Sequence, residues 1–375
     1  MLNGIHLTLM IGPAVPIPVS KSVLDALASV QVTNNSEGPS TFQLRFTLDK
    51  NSPLYTLFLI GGGAGIPLVR VVIAVTIAGT PQVLIDGVMT HHEIAPGSGK
   101  DAPALTITGE DLTKVMDYID FSGFPFPCMP PEARVLVILA KYAMFGVIPL
   151  VIPSVLIDIP IPVQQIPRQQ GKDLAYVRAL ADEVGYVFYM DPGPTPGQSV
   201  AYWGPEIKVG TPQKALNIDM DAQTNVETLS FTFNSEQAKL PIVFIQEPMT
   251  KAIIPIPIPA ITPLNPPLGA IPPIPKDFEF ITETAKYSPI RGALIGMAKA
   301  ARSADAVSAH GTLDVLRYGS VLRARRLVGV RGAGQPFDGL YYVKSVVHDI
   351  KRGEYKQSFT LGRNGLISTV SGVPA

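Results

Sequence analysis

Residues 41–49 read TFQLRFTLD, and this stretch indicates the fold class of the chain most clearly. Its apolar side chains fall on every second position: Phe42, Leu44, Phe46 and Leu48. Alternation with a period of two is typical of a β-strand that buries one face and exposes the other. Similar apolar or alternating runs follow at residues 70–78, 82–89 and 104–108. The first third of the chain therefore predicts β-strands, followed by a short helix over Glu110–Tyr118.

The composition indicates that the protein associates with other chains. Charged residues make up only 16% of the 375 residues, hydrophobic residues make up 46%, and the mean hydropathy is +0.27. Soluble domains carry roughly 25% charged residues, so apolar surface remains to be buried in a membrane or between subunits. The best helical candidate for a membrane span lies between Lys141 and Asp158, but it is too short and contains two prolines. We therefore expect no membrane span, no secretory signal, and extensive subunit interfaces.

Charge and cysteine content exclude several classes of function. Thirty basic residues balance thirty acidic ones, so no specific nucleic-acid partner is expected. The chain has one cysteine, Cys128, which rules out an intrachain disulfide and a zinc site built from cysteines. We interpret Cys128 as a buried free thiol.

The middle of the chain, residues 125–215, predicts a mixture of helices and strands. One helix is expected from Glu132 to about Phe145, and a second begins at Asp173 as its N-cap. The apolar face of the second helix is formed by Tyr176, Val177, Leu180, Ala181 and Val184. A strand at 186–190 and a returning strand at 199–203 follow, so a helix packed on a hairpin is the simplest interpretation.

The last third again predicts strands, at residues 227–233, 240–246, 321–330, 341–347 and 355–361. Turns are expected at Asp338-Gly339 and Arg352-Gly353, and one helix at about Pro289–Arg302. A proline-rich arm, residues 248–276, interrupts the strands. Its prolines exclude a helix or a central strand and favour an extended polyproline II path. Because the residues between the prolines are apolar, we expect the arm to lie on a neighbouring surface, and Pro-Ile-Pro recurs at 16–18 and 160–162.

Two glycine-rich segments invite a nucleotide-binding interpretation, but neither has the required spacing. Gly61–Gly65 lacks the pattern of a dinucleotide site and predicts a hairpin loop instead. Gly97–Lys100 resembles the end of a phosphate-binding loop, but Ile94 and Asp101 occupy positions that the motif reserves for other residues. It predicts a surface turn.

No set of side chains predicts a catalytic, cofactor-binding or metal-binding site. The five histidines are scattered: His6, His91, His92, His310 and His348. His91 and His92 would point to opposite faces of a strand, and Asp219 and Asp221 are interpreted as a solvated strand edge. Glu110 and Asp182 could meet in the fold as a carboxylate pair of the kind that glycosidases use, but nothing selects them.

Arginines form the densest charged feature of the sequence: Arg317, Arg323, Arg325, Arg326 and Arg331. Arg323 and Arg325 are expected to share one face of a strand. Nucleic-acid binding is disfavoured because the aromatic residues that stack on single-stranded bases are missing here. A solvated face, or ion pairs across a subunit interface, is the interpretation.

Four stretches occur together in the order of a known family: residues 83–87, 105–112, 173–204 and 339–361. On these stretches the chain resembles the late-control-D family of baseplate hub proteins, found in contractile phage tails and related injection systems. The amino-terminal part of type VI secretion spike proteins is similar. The resemblance spans most of residues 40–366, and its last stretch, GLYYV through GEYKQSFTL, is the most specific.

The resemblance implies a β-rich α+β fold with two tail-tube-like antiparallel β-barrels, residues 1–124 and 216–375, and an inserted α/β domain, residues 125–215. It implies a non-enzymatic homotrimer whose pseudo-six-fold ring joins a hexameric tail tube to a trimeric spike. Its partners would be the tube protein, a separate spike protein and other baseplate proteins. Its place would be the baseplate of a virion or injection particle assembled in the bacterial cytoplasm. A hub-associated cell-wall hydrolase and an effector- or carbohydrate-binding module remain the alternatives.

Overall fold

The structure is a computed structural model, and it describes residues 4–48, 54, 68–97, 102–154, 166–236, 239–246, 252–258, 266–281, 289–303, 305–370 and 372–373. Gly61–Gly65, Ser98–Lys100 and the Pro-Ile-Pro segment at 160–162 lie outside these ranges.

The described residues of the first third form seven strands and two short helices, and Leu54 is also helical. The strands are β1 (Ile5–Gly12), β2 (Ile17–Pro18), β3 (Leu27–Asn35), β4 (Thr41–Thr47), β5 (Arg70–Ile77), β6 (Thr80–Ala95) and β7 (Ala104–Asp111). Helix α1 covers Lys21–Ala26, and a 3₁₀ helix covers Leu112–Asp117. The alternating stretch is strand β4, and its apolar positions are buried as predicted. The helix expected from Glu110 starts two residues later, because Glu110 and Asp111 still pair with β4 and β6 and the Asp111 carboxylate caps the 3₁₀ helix.

The middle region packs two helices on a three-stranded sheet. Its elements are α2 (Pro131–Ala140), a 3₁₀ turn (Ala143–Phe145), β8 (Val147–Val151), α3 (Asp173–Asp182), β9 (Val187–Pro192) and β10 (Ser199–Gly204). The predicted apolar face of α3 is buried, and the Trp203 ring packs edge-on against Tyr186 beside it. The prediction that Asp173 is the N-cap is wrong: Lys172 holds that position. Asp173 is instead buried, where its carboxylate accepts hydrogen bonds from Tyr142 and Gln169.

The last third contributes eleven strands and two helices. The strands are β11 (Gln213–Asn217), β12 (Thr228–Phe233), β13 (Lys239–Gln246), β14 (Ile253–Pro257), β15 (Gly269–Ile271), β16 (Asp277–Ile281), β17 (Val307–Asp314), β18 (Leu327–Arg331), β19 (Gly339–Lys351), β20 (Glu354–Arg363) and β21 (Leu366–Ser368). The helices are α4 (Pro289–Ser303) and α5 (Val315–Tyr318), and a 3₁₀ turn covers Asp221–Gln223. The strand predicted over 321–330 begins only at Leu327, because the backbone turns at Arg325 with a φ of 61°.

Strands of the first and last thirds form one continuous sheet. Its order is β12-β17-β20-β19-β3-β4-β7-β6-β5-β1-β2, with β18 and β11 attached beside β19. The two halves join where β3 pairs antiparallel with β19, for example Val32 with His348. One apolar core runs beneath both halves, and a second core packs the middle region against Val88 of β6 and against Leu112 and Met116 of the 3₁₀ helix. The predicted β-rich, largely antiparallel fold is confirmed, although the part of the chain described here shows no closed barrel.

The proline-rich arm is partly strand, which corrects the polyproline II prediction. Ile254, Ile256 and Ile258 carry the backbone groups that face β13, and the Ile258 N–H donates to the Pro241 carbonyl. Pro255 and Pro257 alternate with them, so their missing N–H groups fall on the free edge of β14. Farther along, β15 pairs with β21 of the same chain. Proline is tolerated here because β14 is an edge strand.

Candidate interaction surface

An exposed apolar surface lies on a small sheet that is separate from the large one. This sheet has the order β14-β13-β16, with β14 antiparallel and β16 parallel to β13. Because side chains alternate along a strand, the register divides its residues between two faces. We call the two faces the helix face and the outer face.

The helix face is closed by α4. It buries Val243, Ile258 and Ile281, with Ala293 and Met297 of the helix packed against them. Gly296 allows this close approach, since a Cβ there would lie 2.5 Å from a methyl of Val243 and 2.8 Å from Ile258. The Ala/Gly-rich helix therefore packs closely against the sheet.

The outer face carries these apolar side chains: Leu240, Ile242, Phe244, Ile253, Pro255, Pro257, Phe278 and Phe280. Phe278 and Phe280 are each 60% exposed, although phenylalanine is a residue that folding normally buries. The ring centroid of Phe280 lies 6.0 Å from that of Phe244 and 6.4 Å from that of Phe278, so the three aromatic rings adjoin. A contiguous exposed apolar surface of this kind is characteristic of an interaction site.

Sequence reasoning missed this surface. It treated residues up to 276 as the arm and predicted no strand for residues 277–281. Their sequence, DFEFI, alternates in the same way as residues 41–49 and was the signal that could have identified β16.

A buried ion pair holds the middle region on the large sheet. Arg70 of β5 donates to both carboxylate oxygens of Asp86 on β6, at 2.7 and 2.6 Å, and both side chains are almost fully buried. The same guanidinium donates to the Gly197 carbonyl of the middle region at 2.9 Å. Ser199 donates to Asp86 at 3.3 Å. Burial raises the pKa of Asp86, and the bonds from Arg70 oppose that shift.

The arginine cluster is not the strand face that the sequence predicted. Arg323 and Arg325 precede β18, and their backbone is hydrogen-bonded in a turn against Gln213 and Val343. Arg325 lies against the middle region, with its guanidinium 4.2 Å from the centroid of the Tyr189 ring and 3.8 Å from an oxygen of Asp191. Arg317 and Arg326 are exposed. Part of the cluster therefore serves contacts within the chain.

Histidine 348 lies in a buried polar network where the two halves of the large sheet join. Its Nδ1 is 2.7 Å from the Tyr355 hydroxyl, and its Nε2 is 2.9 Å from Oδ1 of Asn34. Burial, reinforced by the positive charge of Arg323, lowers the pKa of His348 to about 3. The imidazole is therefore neutral at physiological pH.

The other candidate residues are placed as follows. His6, His91 and His310 are exposed, and His92 is half-buried. Asp219 and Asp221 do not share a strand edge: both lie in a turn after β11 with φ values of 49° and 48°. Cys128 is exposed rather than buried, because it occupies a surface turn before α2 with a φ of 56°.

The proposed carboxylate pair gains no support from its surroundings. Glu110 lies on β7 within 3.6 Å of Lys114, and Asp182 ends α3, so their pairing stays a hypothesis. Within the described ranges, no group of three or more acidic, histidine or cysteine side chains is arranged to hold a metal ion. None of the helices described is long and apolar enough to cross a membrane.

Comparison with known proteins identifies the fold. No family model and no curated protein sequence matches the chain. Among solved structures, a tail protein from Neisseria meningitidis MC58 is similar with a TM-score of 0.62 at 12% identity, covering 97% of this chain and 98% of that one. The 43 kDa tail protein of prophage MuSo2 from Shewanella oneidensis has a TM-score of 0.58 at 15% identity, with coverages of 96% and 98%.

A third similar structure comes from a secretion machine. It is an Escherichia coli protein described as a component of the type VI secretion system, with a TM-score of 0.51 at 13% identity, covering 93% of this chain and 76% of that one. At these identities the likeness establishes the fold. The chain therefore has the fold of phage tail proteins and of a type VI secretion component.

Proposed function

We propose that the chain is a structural hub in the baseplate of a contractile tail or a related injection system, with no catalytic activity of its own. The observation that carries this proposal is the full-length likeness to a phage tail protein, which covers 97% of this chain and 98% of the other.

In the proposed assembly, three copies form a ring with pseudo-six-fold symmetry. Residues 1–124 and 216–375 of each copy each supply one tail-tube-like barrel, and residues 125–215 are inserted between them. The pairing of β3 with β19 supports this arrangement, because it fixes the two halves of a subunit in one sheet. If three chains are to match six tube subunits, the two halves of each chain must keep a constant relative position and orientation.

The outer face of the small sheet would contact another copy of the chain. Burial of Phe278 and Phe280 between subunits would account for the low content of charged residues, because part of the apolar surface would then be interface. Equal numbers of acidic and basic residues leave no net charge to drive the copies apart. The prolines on the free edge of β14 prevent strand addition there, so packing through the face is favoured over extension of the sheet.

The ring would join the hexameric tail tube on one side to a separate trimeric spike protein on the other, within a virion or injection-particle baseplate assembled in the bacterial cytoplasm. Affinity purification of the tagged full chain, expressed together with candidate tube and spike proteins from the same source, tests these partners. We expect both to co-purify in stoichiometric amounts. Recovery of neither, with each protein folded and soluble, would contradict the proposal.

The absence of catalysis is tested separately. A zymogram with peptidoglycan as substrate should show no clearing at the position of the full chain, with a lysozyme lane as the positive control. Clearing that survives extensive purification would favour the cell-wall hydrolase alternative.

A further inference from the structure

We propose that a small pocket at the meeting point of the three regions of the chain binds a monatomic anion, with chloride as the physiological ligand. The pocket is lined by Val83 and Leu84 of β6, by Asp191 and Pro192 of the middle region, by Val321 and residues 323–326 of the last third, and by Asn34 and His348. Its walls therefore come from the first, middle and last parts of the sequence.

The charges around the pocket favour an anion. Arg323, Arg325 and Arg326 all line it, together with Asp191, which is 45% exposed. The buried Asp111 carboxylate also interacts electrostatically with Arg325. His348 adds no charge, because its pKa lies near 3. Three guanidinium groups against two carboxylates leave an excess of positive charge, and the charge on Arg325, whose side chain is only 7% exposed, is the one that solvent screens least.

Arg325 supplies the unsatisfied hydrogen-bond donors. Its side chain is 7% exposed, and its Nε and one terminal nitrogen, Nη2, are buried with no hydrogen-bond partner among the described residues. Leaving a charged donor buried without a partner is costly, so such groups are normally satisfied by a side chain, a water or an ion. The face of Tyr189 covers one side of the guanidinium and fixes its orientation.

The size of the pocket limits what can occupy it. It encloses about 30 Å³, and one water molecule needs at least roughly 10–15 Å³ on the same scale. A halide ion or a pair of waters fits this space. Water would complete the hydrogen bonds but would leave the excess positive charge, whereas a halide would neutralise part of it.

The first test compares thermal unfolding of the full chain in sodium chloride and in sodium gluconate at equal ionic strength and equal protein concentration. We expect the midpoint of unfolding to rise with chloride and to saturate, because a ligand that binds only the folded state stabilises it. In Arg325→Met, which keeps an apolar stem against Tyr189, the half-saturating chloride concentration should rise by about tenfold or more. The matched control, Arg317→Met, removes an exposed arginine outside the pocket and should respond as the wild type does.

The second test does not depend on the folding of a variant. Crystals of the wild-type chain grown or soaked in sodium bromide should show an anomalous-scattering peak beside the Arg325 guanidinium. A refined water at that position, with no anomalous signal and no chloride-specific stabilisation in solution, would overturn the proposal. Equal stabilisation by chloride and gluconate would overturn it as well, since it would reflect ionic strength alone.

Discussion

The large sheet and the small sheet are built from the same kind of alternating strand, but they use their apolar faces differently. In the large sheet, strands such as β4 and β19 direct their apolar residues into one core that runs beneath both halves of the chain. In the small sheet, α4 covers the helix face, and the outer face keeps Phe278 and Phe280 exposed. Identical patterning thus gives a closed core in one place and an open surface in the other.

The two sheets therefore have different roles: contacts of the large sheet stabilise the fold, and the outer face of the small sheet remains available for assembly. The large sheet is fixed by contacts inside the chain, including the Arg70–Asp86 pair and the network around His348. The small sheet contributes few buried residues, and Ile253, Phe278 and Phe280 are its most exposed large apolar residues. Substitutions in the core of the large sheet should therefore lower the stability of the fold. Substitutions on the outer face of the small sheet should instead weaken association between subunits.

The largest effect is expected from Arg70→Met. This change leaves the Asp86 carboxylate buried without its cation, and breaking a buried pair in this way costs about 3–5 kcal/mol of unfolding free energy. Denaturant unfolding at a fixed protein concentration measures the loss. Lys351→Met is the control, because it removes an exposed pair with Asp349 and should cost no more than about 1 kcal/mol. Similar losses of unfolding free energy in both variants would mean that the buried Arg70–Asp86 pair stabilises the fold no more than an exposed surface pair does.

The second effect concerns association rather than folding. The double variant Phe278→Thr/Phe280→Thr keeps β-branched residues in β16 but removes the two most exposed rings of the outer face. We expect subunit association to weaken by about 100-fold, since buried aromatic residues dominate interface energies. Sedimentation over a range of concentrations measures this change, and near-wild-type circular dichroism would show that the subunit is folded.

Phe233→Thr provides the matched control for the double variant. Phe233 is an exposed phenylalanine on β12 of the large sheet, so the same chemical change is made outside the outer face. It should leave association unchanged. If Phe233→Thr dissociates the oligomer and the double variant does not, the small sheet is not the assembly surface.

The smallest effect is a pH dependence of folding stability. Burial lowers the pKa of His348 to about 3 from its ordinary value of 6.5. Below pH 6.5 the unfolded chain therefore takes up a proton that the folded chain cannot. The stability is fully present above pH 6.5 and is lost as the pH falls towards 3. Between pH 6.5 and 5 the loss should be about 1–2 kcal/mol.

The variant His348→Gln should remove most of this slope, because glutamine does not titrate and can still donate and accept hydrogen bonds. The comparison variant is His310→Gln, which replaces an exposed histidine and should keep the slope. Chemical denaturation at a series of pH values provides the measurement. An equal slope in the wild type and in His348→Gln would contradict the assignment of a buried neutral imidazole at the join of the two halves.

The sequence predicted the periodic elements well and the irregular ones poorly. Alternation identified β4, and helical periodicity identified the buried face of α3, because both signals depend on the residues themselves. The turn at Arg325 and the edge strand at Pro255 could not be predicted, because tertiary contacts decide them. Arg325 takes its positive φ while held against Val343 and Tyr189, and β14 exists only because β13 offers it a partner.

The candidate sites followed the same division. Arg70 and Asp86 lie sixteen positions apart and meet only through the β5–β6 hairpin, so nothing in their spacing marked them as a buried pair. The burial predicted for Cys128 came from the usual preference of cysteine and failed because the residue lies in a surface turn. The outer face, in contrast, was encoded by the alternation in residues 277–281 and was open to prediction.

We propose that this chain is a ring-forming subunit, and its mass in solution tests this proposal. One chain has a mass of 40.1 kDa, so multi-angle light scattering on the purified full chain should give a single species of three times that mass. The account predicts that this trimer persists at micromolar concentration and appears as a three-fold ring by electron microscopy. A folded, monodisperse species of 40.1 kDa at every accessible concentration, even with the tube and spike proteins present, would contradict it.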